Sequence, residues 1–123
     1  MALLFTKTHE WLLEGEDKTV TIGISDFAQE ELGQLVFVNL PEPGDQVSAG
    51  EAFADVESVK AVSDIMSPVS GTILEINEEL LDAPEMINDA PYDAWFVKVG
   101  EITYHEDMLT EEEYNAFVEE EKA

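Results

Sequence analysis

The residue on this chain best placed for chemistry is Lys60. It sits in Glu57-Ser58-Val59-Lys60-Ala61, with Gly50 ten residues before it and Gly71 eleven residues after it. The whole chain holds five lysines and no arginine against 29 carboxylates. A lysine midway between two turn glycines, flanked by short apolar strand-like runs, reads as the tip of a β-hairpin. An amine there is open to an enzyme that would acylate it, so the pattern predicts a carrier of a prosthetic group on Lys60. Val59 and Lys60 lack the turn preference of Gly, Asn, Asp or Pro. Such a break with a local rule tends to mark a functional position. The competing reading is an ordinary exposed lysine on a strand, and the glycine frame decides against it.

The elements that must position this tip are mostly strands. Thr19 to Ile24 alternate, with Val20, Ile22 and Ile24 on one face. A short helix is expected next, with Asp26 as N-cap, Gln29 at capping-box spacing and Gly33 at its end. Leu35 to Leu40 is apolar on both faces and predicts a strand buried on both. Pro41-Glu42-Pro43-Gly44-Asp45 is a turn. Ala52 to Val56 and Ala61 to Met66 flank the lysine in a hairpin of about 50–71, and Gly71 to Ile76 forms the next strand. Residues 78–91 read as an excursion, after which Trp95, Val97 and Val99 should point inward. A C-terminal helix of about 110–121 opens on the capping box Thr110 and Glu113, with Tyr114, Phe117 and Val118 as its apolar stripe. Many short strands between turns predict a sandwich or barrel, with residues 1–123 as one domain.

Composition narrows the partners. A net charge of −24 argues against nucleic acid and anionic membranes, whose phosphates need Lys and Arg to displace their counterions. The charge serves solubility, or long-range steering toward partners with basic docking surfaces. With no cysteine, sulfur redox chemistry must come from an attached group. No apolar run approaches a membrane span and no leader is recognisable. The chain therefore reads as cytoplasmic, or as a mitochondrial matrix protein only if a leader has been removed. His9 and His105 lack metal-ligand spacing, and no calcium-loop or phosphate-binding motif is present. Glu111-Glu112-Glu113 and Glu119-Glu120-Glu121 read as solvated helix faces.

The lysine segment, followed by Ser63-Asp64 and Ser67-Pro68-Val69-Ser70-Gly71, closely resembles the H proteins of the glycine cleavage system. The resemblance runs from about Phe5 to Phe117. It takes in His9-Glu10-Trp11, then Thr21-Ile22-Gly23-Ile24-Ser25-Asp26-Phe27-Ala28-Gln29, Leu32-Gly33 and Val36-Phe37-Val38-Asn39-Leu40-Pro41, and later Gly44, Asn88, Pro91-Tyr92 and Trp95. Leu12-Leu13, where many members have a basic residue, and Ala94, where a Gly usually stands, are departures that leave the lysine motif untouched.

The resemblance implies a barrel-sandwich hybrid, a flattened β-barrel of two sheets with extra helices. It implies lipoic acid in amide linkage on Lys60, attached by lipoyl-attaching enzymes, and a carrier with no catalysis of its own. The dithiolane would accept an aminomethyl group from a pyridoxal-phosphate glycine decarboxylase (P protein) and present it to an aminomethyltransferase (T protein). A dihydrolipoamide dehydrogenase (L protein) would then reoxidise it. The loaded arm would fold into a surface cleft involving Thr8, His9 and Glu10, with Ile24 as apolar wall and Asp64 near the arm's root. Glu10 is the first candidate to hold the aminomethyl nitrogen as an ammonium, and Glu10→Ala is expected to leave the fold intact. The alternative for His9 and Glu10 is a solvated strand edge. The chain is expected to be a monomer. Other readings are an H-like protein relaying lipoyl groups, another lipoyl or biotinyl swinging-arm domain, and an unmodified interaction module of the same fold.

Overall fold

A computed structural model describes residues 3–122. Three antiparallel strands come first: β1 (Leu3–Phe5), β2 (Glu10–Glu14) and β3 (Val20–Ile24). Helix α1 (Asp26–Leu32) leads to β4 (Leu35–Asn39), β5 (Gln46–Val47) and the hairpin of β6 (Ala52–Ser58) and β7 (Val62–Met66). Then come β8 (Val69–Ile76), the single-turn helices α2 (Glu79–Asp82) and α3 (Met86–Asp89), β9 (Val97–His105), β10 (Leu109–Thr110) and α4 (Glu111–Lys122).

The strands make two antiparallel sheets. Seven run in the order β10-β1-β2-β3-β9-β8-β5, and three in the order β4-β6-β7. One apolar cluster joins them: Ile22, Ile73 and Val99 of the larger sheet pack with Val38, Val56 and Ile65 of the smaller. Each such buried aliphatic side chain contributes about 1.5–3 kcal/mol. The expected flattened barrel is therefore present as two sheets over a shared core, and it is not a closed barrel. A second, smaller cluster of Phe5, Trp11, Tyr114 and Val118 lies under α4, with Phe117 half-buried at its margin. The α4 capping box is reciprocal. The Thr110 amide donates to Glu113 Oε1 at 2.9 Å, and the Glu113 amide donates to Thr110 Oγ1 at 3.2 Å.

Four local expectations change, and the expected excursion gains detail. Ser25, not Asp26, caps α1: its Oγ accepts from the Ala28 amide at 3.2 Å, while Asp26 is the first helical residue and accepts from Gln29 Nε2 at 2.9 Å. Gly50 does turn the chain at φ 84°, but Gly71 lies within β8. There it permits contact with β9, since a Cβ would stand 2.6 Å from the Gly100 carbonyl oxygen. Phe96 enters the core in place of Trp95, which stays half-buried beneath the Lys98 ammonium. The excursion over residues 78–91 contains α2 and α3. Finally, β4 is buried on one face only, with Val36 and Phe37 exposed beside a bulge.

Candidate functional site

The hairpin tip is built around one serine. Ser58 and Ala61 close the turn through the Ser58 amide on the Ala61 carbonyl at 2.8 Å, leaving Val59 and Lys60 between them. Ser58 Oγ accepts from the amides of Lys60 (3.2 Å) and Ala61 (3.0 Å). That side chain supplies the turn chemistry which Val59 and Lys60 lack. The tip is also tied down from outside, because the Val59 amide donates to the Gln34 carbonyl at 3.0 Å. Lys60 is exposed and makes no ion pair among the described residues. Its stem rests over Gly33, where a Cβ would lie 3.3 Å from Lys60 Cε.

The segment that holds the tip is itself held by Asn88. Its Nδ2 donates to the Gly33 carbonyl at 2.9 Å and to Gln29 Oε1 at 3.0 Å, and its Oδ1 accepts from the Leu35 amide at 2.9 Å. One side chain from α3 thus fixes both the end of α1 and the start of β4, the stretch on which the hairpin leans. The sequence gives no local signal for this, since every partner lies 53 or more residues away.

Thr8, His9, Glu10, Ile24 and Asp64 all line one cleft of ≈ 160 Å³. Leu32 and Ile65 add apolar wall, and Glu31 and Ser63 complete the polar lining. Leu32 immediately precedes Gly33, so the cleft adjoins the ground beneath the lysine stem. Asp64 is exposed on β7, the second strand of the lysine hairpin.

Glu10 is no solvated edge residue, being 1 % exposed. Its Oε1 accepts from Thr6 Oγ1 at 2.6 Å and Thr8 Oγ1 at 2.5 Å, and its Oε2 accepts from the Met66 amide at 3.3 Å. Burial pushes its carboxyl above the usual carboxylate range, and these hydrogen bonds only partly offset that. A carboxyl so placed is penalised as an anion and favours a cation arriving beside it. Because Glu10 fastens β2 to β7, Glu10→Ala would leave the Met66 amide without its acceptor and release the hydroxyls of Thr6 and Thr8. Glu10→Ala, expected to leave the fold intact, would therefore carry a cost in stability.

His9 beside it has φ 74°, in the left-handed region that few non-glycine residues adopt. Its carbonyl accepts from the Ser25 amide at 2.9 Å. Its Nδ1 lies 2.8 Å from the Tyr114 hydroxyl and its Nε2 3.0 Å from Glu121 Oε2. Tyr114 also meets Ser25 Oγ at 2.6 Å. A neutral ring protonated at Nε2 satisfies all three side-chain bonds, with Ser25 donating to Tyr114 and Tyr114 donating to His9. Burial pushes the Tyr114 phenol up to about 12, which keeps it a donor. Glu121 is therefore a latch on the cleft's lip rather than only part of a solvated helix face. Sequence reading marked Tyr114 as core and missed its hydroxyl.

Comparison with known proteins fits this geometry. Residues 3–121 match the profile of the family described as Glycine cleavage H-protein. The glycine cleavage system H protein of Lachnoclostridium phytofermentans is 60% identical over 119 residues, covering 97% of this chain and 94% of that one. A probable glycine cleavage system H protein of Pyrococcus horikoshii is 52% identical over 106 residues, covering 86% and 79%. The crystal structure of a glycine cleavage system H protein from Mycobacterium marinum superposes with a TM-score of 0.86 at 38% identity, covering 98% of this chain and 97% of that one. With its profile matched over nearly the whole length and its fold shared with a solved member, the chain belongs to the glycine cleavage H-protein family.

Proposed function

We propose that this chain is the lipoyl carrier of a glycine cleavage system, with lipoate in amide linkage on Lys60. The observation that carries the reading is an exposed, pinned lysine next to a cleft that combines apolar walls with a buried carboxyl. The residues suit such a group. Ile24, Leu32 and Ile65 offer an apolar lining for a hydrocarbon arm, and Glu10 offers acidic oxygens for a cationic end, with Asp64 at the rim. Attachment joins Nζ of neutral Lys60 to the acyl carbon of an activated donor such as an acyl adenylate. The leaving group departs with the electron pair of the broken bond, and the amine's surplus proton passes to solvent.

Bound there, lipoate would supply a dithiolane able to accept an aminomethyl unit as glycine loses carbon dioxide, with glycine decarboxylase, an aminomethyltransferase and dihydrolipoamide dehydrogenase as the enzymes that act on it. Glu10 would hold a nearby amine as ammonium by opposite charge, the carboxyl passing its proton to an amine that arrives neutral or releasing it to solvent beside one that arrives charged. The apolar walls limit the water that reaches the cleft. The chain contributes attachment, shelter and charge, and leaves the bond-breaking to its partner enzymes. The reading places the carrier in the cytoplasm, as a monomer of one domain.

The decisive experiment is intact-mass measurement of the native protein, with peptide mapping, alongside Lys60→Arg. Guanidinium stays protonated and is a poor nucleophile. The parent chain should carry one lipoyl group on Lys60, whereas Lys60→Arg should fold normally and carry none. A lipoylated Lys60→Arg chain would overturn the assignment.

A further inference from the structure

Strand β4 has apolar residues toward both faces, yet only one face is covered. Val38 and Val56 fill the core, while on the outer side of the three-stranded sheet Phe37 is 53% exposed and Val62 68% exposed. The register aligns them. Phe37 stands opposite Glu57, and Glu57 opposite Val62, so the three form one row across β4, β6 and β7. The row ends at the lysine turn, where Val59 is 67% exposed. Two residues further from the tip, a second row on the same face places Asn39 opposite Asp55 and Asp55 opposite Asp64.

The second row has an energetic peculiarity. Like charges directly across an antiparallel pair are destabilising, and neither Asp55 nor Asp64 has an ion-pair partner among the described residues. A basic side chain laid over the pair would turn the repulsion into attraction. The face thus offers Phe37 and Val62 flanking Glu57 beside the tip, and an uncompensated acidic row behind it. Its complement is an apolar patch backed by lysine or arginine. A second copy of a chain with net charge −24 does not have that character.

We propose that the outer face of the β4-β6-β7 sheet seats the enzyme that acylates Lys60, with apolar side chains on Phe37 and Val62 and a cationic side chain over Asp55 and Asp64. The choice of enzyme follows from reach. An acylating enzyme must bring its activated carbonyl to the bare Nζ, and so it covers the tip and the sheet beside it. Enzymes that use a finished arm meet its far end and have no need of this face. The proposal rests on the lipoyl-carrier reading and adds the recognition surface to it.

The test uses the unmodified full chain and a purified ATP-dependent lipoate ligase. It reads kcat and KM for the carrier, the Kd of the unmodified chain by calorimetry, and Tm. Phe37→Ser should raise KM and Kd about ten-fold, as expected for an interface anchor, with kcat and Tm little changed. Asp55→Asn should raise KM and Kd about three-fold while raising Tm by about 1–3 °C, because it relieves the repulsion. A purely structural role for Asp55 would lower Tm instead. Leu81→Ser, which removes an exposed apolar side chain on α2, should change none of these values. If Phe37→Ser leaves KM and Kd at parent values while Lys60 is still acylated, this face is not the seat. A parent chain that dimerises through Phe37 in sedimentation would assign the face to a second copy and overturn the proposal. A parent chain that takes no acyl group on Lys60 would remove the carrier reading itself, and this proposal with it.

Discussion

The two lips of the cleft are built on opposite terms. Along the lip from Thr6 to Glu10, nearly every polar group is engaged, a carboxyl is buried, and a histidine is held in a left-handed backbone conformation. The opposite lip, from Ser58 to Asp64, has an exposed tip whose turn bonds are local, plus one backbone bond to Gln34. Folding free energy is spent on the side that would hold a cargo and spared on the side that must reach another enzyme's active site. Local strain and buried charge persist only where surrounding structure fixes them, and here that structure is the smaller core cluster and α4. The lysine needs the reverse, since a modifying enzyme must be free to draw its side chain away from Gly33.

Glu10→Ala tests this contrast most severely. It removes a buried carboxyl that accepts from two partly solvated hydroxyls and the Met66 amide, so a loss of about 1–3 kcal/mol in denaturant unfolding is expected. Formaldehyde release from the purified glycine-loaded carrier, without aminomethyltransferase, should also quicken. A chain of unchanged stability would show that this lip is no more structural than the other.

Asn88→Ala should cost about 1–3 kcal/mol, because the buried side of the Gly33–Leu35 segment loses its bonds. It sharpens the comparison by asking whether the reaching lip borrows its order. Amide exchange at Val59, whose partner is Gln34, should accelerate more than exchange at Val97 in β9. Equal acceleration at both would mean that Asn88 supports the whole fold and not the tip.

The smallest effect is a pH dependence confined to the holding lip. Glu10 titrates higher in the folded chain than its ordinary 4.5, so the folded state binds more protons than the unfolded state between those two values. Its contribution to stability is full below 4.5 and is lost as pH rises through the folded value. Compared with Glu10→Gln, the parent should therefore fare best in acid and lose ground above 4.5. Gln keeps an acceptor for the threonines but sets an amide NH₂ against the Met66 amide, so the two should differ in offset as well as slope. A stability difference that is flat from acid to neutral pH would mean that the buried carboxyl does not carry the shift.

What the sequence revealed, and what it hid, divides along physical lines. The alternation ending at Ile24, the capping box of Thr110 and Glu113 and the turn at Val59-Lys60 are local patterns, and local patterns can be read in one dimension. Ser25 and Asp26 are both good caps, and the choice of Ser25 is a shift of one residue that propensity does not resolve. Phe96 displaced Trp95 because the chain joins the sheet irregularly, with the Phe96 amide on the Ile22 carbonyl before the regular ladder begins. Gly71 was legible as glycine but not as the place where two strands touch. For β4, apolar residues on both faces look the same whether the second face meets a core or a partner. The cleft residues came from resemblance, and the side chains that brace the site, Asn88 and Tyr114, act over separations that no motif spans.

The clasp between His9 and Glu121 joins positions 112 residues apart, and this bears on the order in which the molecule comes into being. On a ribosome, Thr6 to Glu10 emerge early, whereas Tyr114 and Glu121 follow only after almost everything else has been made. The turn bonds of the lysine tip involve neither, so the lip opposite can lack its clasp while the tip's own bonds remain. The last residues to emerge therefore close the cleft's lip and leave the lysine turn as it is.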